Sequence, residues 1–216
     1  RIEQTIAPIN EVLAAGLILM SKWDRQSHFV DAMCGSGTIV MEAASMAINK
    51  APNLDRSYFC FKNWKNYDKT LFNDICTELE LKISDFEYKI IGSDNNKKAV
   101  FIAQNNIKKA GFSKLIEIRE TSIQKMIPPM GRGTLIINPP YGERMEAYQI
   151  DLLYKQIGDA FKQHFTGYTC GIISNNFEGL KNINIKPMKK HPVINGKLEC
   201  VFYLYEMYEG TKKKKK

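Results

Sequence analysis

The chain has 216 residues, 44% of them hydrophobic, with 31 basic against 23 acidic side chains and a formal charge of +8. That length supports one sizeable core, and the longest apolar stretch near the start, Val12 to Met20, is too short to span a bilayer, which excludes a membrane anchor there and leaves the cytosol as the expected location. Five of the positive charges are the terminal run Lys212 to Lys216, and without them the charge is +3, so basicity permits a polyanionic partner without establishing one.

Apolar residues at Val12, Leu13, Leu17 and Met20 recur at helical spacing, which predicts a helix over Asn10 to Lys22 with Pro8 ahead of it. A turn over Trp23 to Ser27 leads into a strand from His28 to Met33, a tight turn Cys34 to Gly37, and a strong helix from Thr38 to Asn49. Residues 51–88 are polar and aromatic, with Trp64, Tyr67 and Phe72, and read as a helical insertion. A second strand follows over Tyr88 to Asp94, a helix over Asn96 to Lys109 closed by Gly111, and a third strand over Leu115 to Arg119.

Gly133 to Asn138 is the fourth strand, stopped by a Pro-Pro pair that no central strand continues through. A helix over Leu152 to Phe165 and a strand over Tyr168 to Ser174 come next. Asn195-Gly196 is a strong hairpin signal joining Lys186–Ile194 to Lys197–Met207. Strands alternating with helices predict an α/β fold with a mostly parallel seven-stranded sheet and an antiparallel hairpin at one edge, in one domain over residues 1–210. Ligands on such sheets bind at the carboxyl ends of strands, where the motifs below fall.

The first motif is Asp31-Ala-Met33-Cys34-Gly35-Ser-Gly37-Thr38. Its glycines let backbone pass close to a ligand, and the helix opening at Thr38 offers N–H groups and a positive dipole end. A P-loop needs a lysine that is absent here, and a dinucleotide fingerprint wants a third glycine where Val40 stands. Asp31 discriminates, because a carboxylate at the strand end can hold an ammonium while the helix terminus serves a carboxylate, as the amino-acid portion of methionine requires. Asp94, followed by Asn95, ends the second strand, where a carboxylate can accept from ribose hydroxyls; the plainer reading is a cap for the next helix. Glu120, with Thr121 beside it, stands where an acidic group meets an adenine amine, or else is a loop charge.

Asn138-Pro139-Pro140-Tyr141 is the most specific signal. An exocyclic base amine is a poor nucleophile because its lone pair is delocalised, so a site must accept its N–H bonds and hold nitrogen in line with the methyl donor. The Asn138 side-chain oxygen and the Pro139 carbonyl are suitable acceptors, the prolines direct no N–H at the amine, and Tyr141 can stack on a base. Gly142-Glu143-Arg144 extends the motif, with Arg144 on phosphate or base, or in a salt bridge to Glu143. The five cysteines (34, 60, 76, 170, 200) and three histidines (28, 164, 191) are dispersed, so reduced thiols, packing histidines and no metal are expected.

Together, Asp31 to Ala44 and Asn138 to Arg144 resemble the class I RNA methyltransferases that usually carry a THUMP RNA-binding domain upstream, most of all the branch acting on a guanine N2 in bacterial 23S rRNA. Ala7 to Ala15 and Asn195 to Cys200 resemble the flanks of that catalytic domain, so nearly the whole chain is covered. The resemblance implies a Rossmann-like class I fold, S-adenosylmethionine as methyl donor, RNA as partner, Asp31, Met33, Cys34, Gly35, Gly37, Thr38, Asp94, Asn95, Glu120, Thr121 and Asn138 around the donor, and Asn138 to Tyr141 around the target amine. Glu120 departs from the family's usual Asp by one methylene. The start at Arg1 reads as a fragment of something longer or a processed product, with the upstream THUMP domain expected to be absent from it. Asn-Pro-Pro-Tyr also serves adenine N6 and glutamine side chains, tRNA is an alternative to rRNA, and a noncatalytic RNA-binding module is the contrasting class, which Asp31, Asp94 and Asn138 together oppose.

Overall fold

A computed structural model describes residues 9–140 and 147–210; Pro8, Tyr141, Gly142, Glu143, Arg144 and the lysine tail lie outside the described residues. Helix α1 (Glu11–Met20) starts where Asn10 Oδ1 accepts the Val12 N–H at 2.8 Å. It stops short of Lys22, which takes φ +58. β1 (His28–Asp31) and α2 (Thr38–Ala47) flank the glycine turn. Within 51–88 lie a 3₁₀ turn (Cys60–Asn63) and α3 (Lys69–Leu81). Then follow β2 (Ile90–Asp94), α4 (Lys97–Lys109), β3 (Ile116–Glu120), β4 (Gly133–Ile137), α5 (Ala147–His164), β5 (Tyr168–Ser174), α6 (Phe177–Lys181), β6 (Lys189–Asn195) and β7 (Leu198–Glu206).

The seven strands form one sheet in the order β3-β2-β1-β4-β5-β7-β6. β1 to β5 pair in parallel, while β7 runs antiparallel to both β5 and β6, so the α/β fold with a closing antiparallel hairpin is as the alternation of elements predicts. The apolar runs of the strands have a direct cause. Phe29, Ile90, Ile136, Ile173 and Phe202 point into one layer with α1, α2 and α4; their neighbours Val30, Ile91, Ile137, Ile172 and Val201 point into the other with α5 and α6. A strand covered on both faces cannot alternate apolar with polar residues.

β1 is the pivot. From it the chain builds outward to β2 and β3 on one side, then returns to β4 on the other, which opens a crevice over the carboxyl ends of β1 and β4.

Beyond shifts of one to three residues at the ends of several elements, among them α1, β1, β2 and β6, three features differ from the sequence reading. α5 begins at Ala147 rather than Leu152, because its buried stripe is Ile150, Tyr154, Ile157 and Phe161, whereas Leu152 is 52% exposed. α6 was not foreseen; it is five residues long, held by Gly179 N–H on Asn176 Oδ1 at 2.7 Å, too short to show a period. The hairpin loop is Gly196-Lys197, one residue later than Asn195-Gly196, since Asn195 pairs with Leu198. Gly196 alone takes φ +64, the signature of a II′ turn rather than the I′ turn that Asn-Gly favours. Among the described residues no helix is long and apolar enough to cross a membrane.

Candidate active site

The turn between β1 and α2 is held from three sides. The Gly37 N–H donates to the Cys34 carbonyl at 2.8 Å, closing the turn on itself. The Cys34 N–H donates to the Ser93 carbonyl on β2 at 2.8 Å. Asn106 Nδ2, buried on α4, donates to the Ser36 carbonyl at 3.0 Å. Gly37 takes φ +84, a conformation in which a side chain would be strained, and caps α2 without a side-chain acceptor. The first turn of α2, with no acidic residue in it, thus faces the crevice with its positive dipole end.

Asp94 and Asp31 stand on neighbouring strands beneath this turn. Asp94 accepts the Gly35 N–H on Oδ2 at 3.0 Å and the Asn96 N–H on Oδ1 at 2.9 Å. The cap of α4 is Asn96, whose Oδ1 accepts from Lys98 at 2.9 Å and Ala99 at 3.4 Å, so Asp94 does not fill that role. Its carboxylate retains lone pairs for two further donors. The Thr121 N–H donates to the Asp94 carbonyl at 3.1 Å, and Glu120, the last residue of β3, lies in register with Asp94 at the edge of the crevice. Asn95 sits between Asp94 and the cap.

Asp31 is fully buried. Its Oδ1 accepts the Met33 N–H at 3.1 Å, while Oδ2 has no hydrogen-bond partner among the described residues. Burial pushes its pKa up from 3.8 to about 8; the Met33 N–H opposes this and the nearby Asp94 charge adds to it. The second oxygen therefore asks for a cationic donor, and an ammonium group supplies both charge and hydrogens. Cys34 is also buried, and burial, followed by the charges of Asp31 and Asp94, pushes its thiol well above the ordinary value. A thiol held neutral in this way is a weak nucleophile.

On the other side of β1, Asn138 follows β4, with Pro139 buried and Pro140 exposed. The Asn138 Oδ1 atom is buried and, among the described residues, has no partner. The crevice thus holds two buried acceptors in want of donors, Asp31 Oδ2 and Asn138 Oδ1, at the ends of adjacent strands. Tyr141 lies outside the described residues.

Three contributors escape sequence reading. Asn106 had a readable signal, as it interrupts the buried α4 stripe of Ala99, Val100, Ala103 and Ile107. Ser93 Oγ, fully buried on β2, is a third polar atom without a partner among the described residues, and a serine within a strand gives no such hint. Tyr154 of α5 meets Ser174 Oγ at 2.5 Å, and that same oxygen accepts the Asn176 N–H at 2.9 Å, tying α5 to the end of β5. No disulfide joins any of the five cysteines, and among the described residues no three His, Cys, Asp or Glu side chains group as metal ligands.

The model of the RMKL-like methyltransferase domain family matches residues 1–203. The ribosomal RNA large subunit methyltransferase K/L of Shewanella sp. (strain W3-18-1) is 36% identical over 211 residues, covering 95% of this chain and 30% of that protein. This chain spans about 30% of the length of the curated relatives it matches. SMU.472, assigned as a methyltransferase and crystallised with SAH, is 31% identical with a TM-score of 0.89 over 96% of this chain and 55% of its own. A chain from Listeria monocytogenes str. 4b F2365, assigned as an N6-adenine-specific DNA methylase, is 30% identical with a TM-score of 0.83, over 96% and 53%.

Two consequences are measurable in the ligand-free protein. Because the folded pKa of Asp31 is raised, its contribution to stability is greatest below about pH 4 and is lost as pH rises to about 8. Asp31→Asn is therefore expected to match the parent near pH 4.5 and to melt several degrees higher at pH 8.5, at about 2–4 °C per kcal/mol; parallel melting curves across that range would remove the buried-carboxylate account. Asn106→Leu removes the Nδ2 bond to the Ser36 carbonyl and is expected to cost about 1–3 kcal/mol, read as a lower denaturant midpoint at constant slope. A change below about 0.5 kcal/mol would show that the anchor is dispensable.

Proposed function

The chain belongs to the RMKL-like methyltransferase domain family, and on that footing we propose that it transfers the methyl group of S-adenosylmethionine to the exocyclic N2 amine of a guanine in large-subunit ribosomal RNA. The observation that carries the reading is the pair of buried, unpartnered acceptors on adjacent strands, Asp31 Oδ2 and Asn138 Oδ1. One fits an ammonium and the other an amine, which are the two ends that a reaction between an amino-acid-bearing donor and a base amine has to hold. The assignment of the Shewanella relative to the ribosomal large subunit supports the choice of RNA. Acting on ribosomal RNA, the protein works in the cytoplasm.

S-Adenosylmethionine, when bound, supplies a sulfonium-activated methyl group. The chain's own residues do the rest by placement. Asp31 receives the donor's ammonium, and the first turn of α2 at Thr38, with the backbone of Met33 to Gly37, receives its carboxylate. Asp94 accepts from the ribose hydroxyls with its remaining lone pairs, and Asn95, Glu120 and Thr121 border the adenine. Asn138 Oδ1 and the Pro139 carbonyl accept the two N–H bonds of the target amine, turning its lone pair toward the methyl carbon. Pro140 keeps this strand exit stiff, and Tyr141 stacks on the base. The amine nitrogen would lose one proton to solvent in the course of the transfer. A second reading, adenine N6 as acceptor, draws on the Listeria relative's assignment, since the same Asn138 geometry suits either amine.

Transfer of labelled methyl from S-adenosylmethionine to an unmodified 23S rRNA transcript, followed by nucleoside analysis, is expected to give N2-methylguanosine. N6-methyladenosine would replace the first reading by the second, and no transfer would overturn both. Asn138→Ala is expected to lower kcat about 100-fold or more while donor affinity changes only a few-fold; unaltered turnover would remove Asn138 from the mechanism.

A further inference from the structure

An in-line transfer divides the crevice between its two ligands. The amine nitrogen approaches the methyl carbon from the side opposite sulfur, so donor and base lie on opposite sides of the reacting atoms. In the sheet β4 stands between β1 and β5, with Asp31 at the end of β1 and Asn138 just past β4. A donor held by Asp31 takes the β1 side of Asn138, which leaves the end of β5 to the base.

β4 and β5 run parallel with Ile137 opposite Ile172. Continued on that register, Asn138, Pro139 and Pro140 stand level with Ile173, Ser174 and Asn175, one strand spacing of about 4.8 Å away. Asn138 and Asn175 each come two residues after an isoleucine, Ile136 and Ile173, of the layer shared with α1, α2 and α4, and so begin on the same face of the sheet. Ser174, between, turns the other way, to Tyr154 of α5.

The polar side chains beside Asn175 hold the strand end in place. Ser174 Oγ meets the buried Tyr154 hydroxyl and accepts the Asn176 N–H, and Asn176 Oδ1 accepts the Gly179 N–H to cap α6. Asn175 lies between these two anchors at the bend into α6, half-buried, and its side chain has no hydrogen bond among the described residues. Its backbone is thus fixed from both sides while its amide keeps one acceptor and two donors for something else.

We infer that Asn175 is the specificity-determining residue for the base, its Oδ1 accepting the N1–H of guanine and its Nδ2 donating to O6. This rests on the proposed transfer to a guanine amine. With N2 held at Asn138, the next two groups along the guanine edge are a donor and an acceptor, which one amide meets together. With adenine N6 in the same place, the next groups are an acceptor nitrogen and a C–H, so only one of the two bonds forms. Asn175 therefore favours guanine over adenine, a choice that Asn138 and Pro139 leave open.

The test uses the shortest piece of the 23S rRNA transcript that accepts the methyl group, made with guanosine or with 2,6-diaminopurine riboside at the methylated position. Diaminopurine keeps the N2 amine but presents an acceptor at N1 and an amine in place of O6. Values of kcat/KM on both are measured for the full chain, Asn175→Ala and Asn175→Asp, with S-adenosylmethionine affinity as the check on folding. The unaltered chain is expected to favour guanine by about 10-fold or more. Asn175→Ala is expected to bring that preference within about 3-fold by falling on guanine alone, with donor affinity kept. Asn175→Asp is expected to level it as well, since with either base one carboxylate oxygen meets a donor and the other an acceptor. No preference in the unaltered chain, a preference that survives both substitutions, or equal losses on the two bases overturns the role of Asn175 while leaving the reaction standing. Absence of methyl transfer to guanine by the unaltered chain overturns the reaction and the role together.

Discussion

A carboxylate buried at the pivot of the sheet with one oxygen unsatisfied is the constraint from which the rest follows. Asp31 sits at the end of β1, fully covered, and among the described residues only the Met33 N–H donates to it. An ionised group there costs several kcal/mol in the absence of a cation, so the ligand-free protein keeps it protonated through neutral pH. The neighbours are arranged around that need. Gly35 and Gly37 bring the turn over the carboxylate, Asp94 fixes the turn through Gly35, and α2 supplies a positive end for the other half of a zwitterion. β4 then places Asn138 across the crevice, which is why the order of strands matters as much as their composition.

The sheet and its motifs were legible because each leaves a local trace. Continuous apolar runs marked strands covered on both faces, Gly35 and Gly37 marked the turn, and the Pro-Pro pair marked the end of β4. Asp31 was legible as a candidate by its place at a strand end, but its burial was not. Contributions made across the fold left weaker traces. The bond from Asn106 to Ser36 spans 70 residues and shows only as one polar residue in an apolar stripe. Ser93 Oγ shows not at all, since its lack of a partner depends on what packs above it. The hairpin loop slipped by one residue because Asn-Gly favours a type I′ turn locally, while pairing of β6 with β7 decided the register.

The stretch from 51 to 88 joins the body at the other end of the sheet from the crevice, between the end of α2 and the start of β2. The Ser84 N–H donates to the Ile48 carbonyl at 2.9 Å and Asn49 Nδ2 to the Lys82 carbonyl at 3.1 Å. It carries a small aromatic cluster of its own, Phe59, Phe61, Tyr67 and Phe72, with Lys62 over the Phe72 ring at 4.4 Å. α3 has no buried residue. Such an addition is tolerated there because it disturbs neither the turn over Asp31 nor the exit of β4, and the chemistry stays concentrated at one rim.

The most direct test of the central claim is calorimetric titration with S-adenosylmethionine at pH 7 in buffers of different ionisation enthalpy. A protonated Asp31 that must ionise to receive an ammonium predicts binding with release of close to one proton per site, about 0.9 for a group titrating near 8. Binding without proton release, or no binding, would contradict the account.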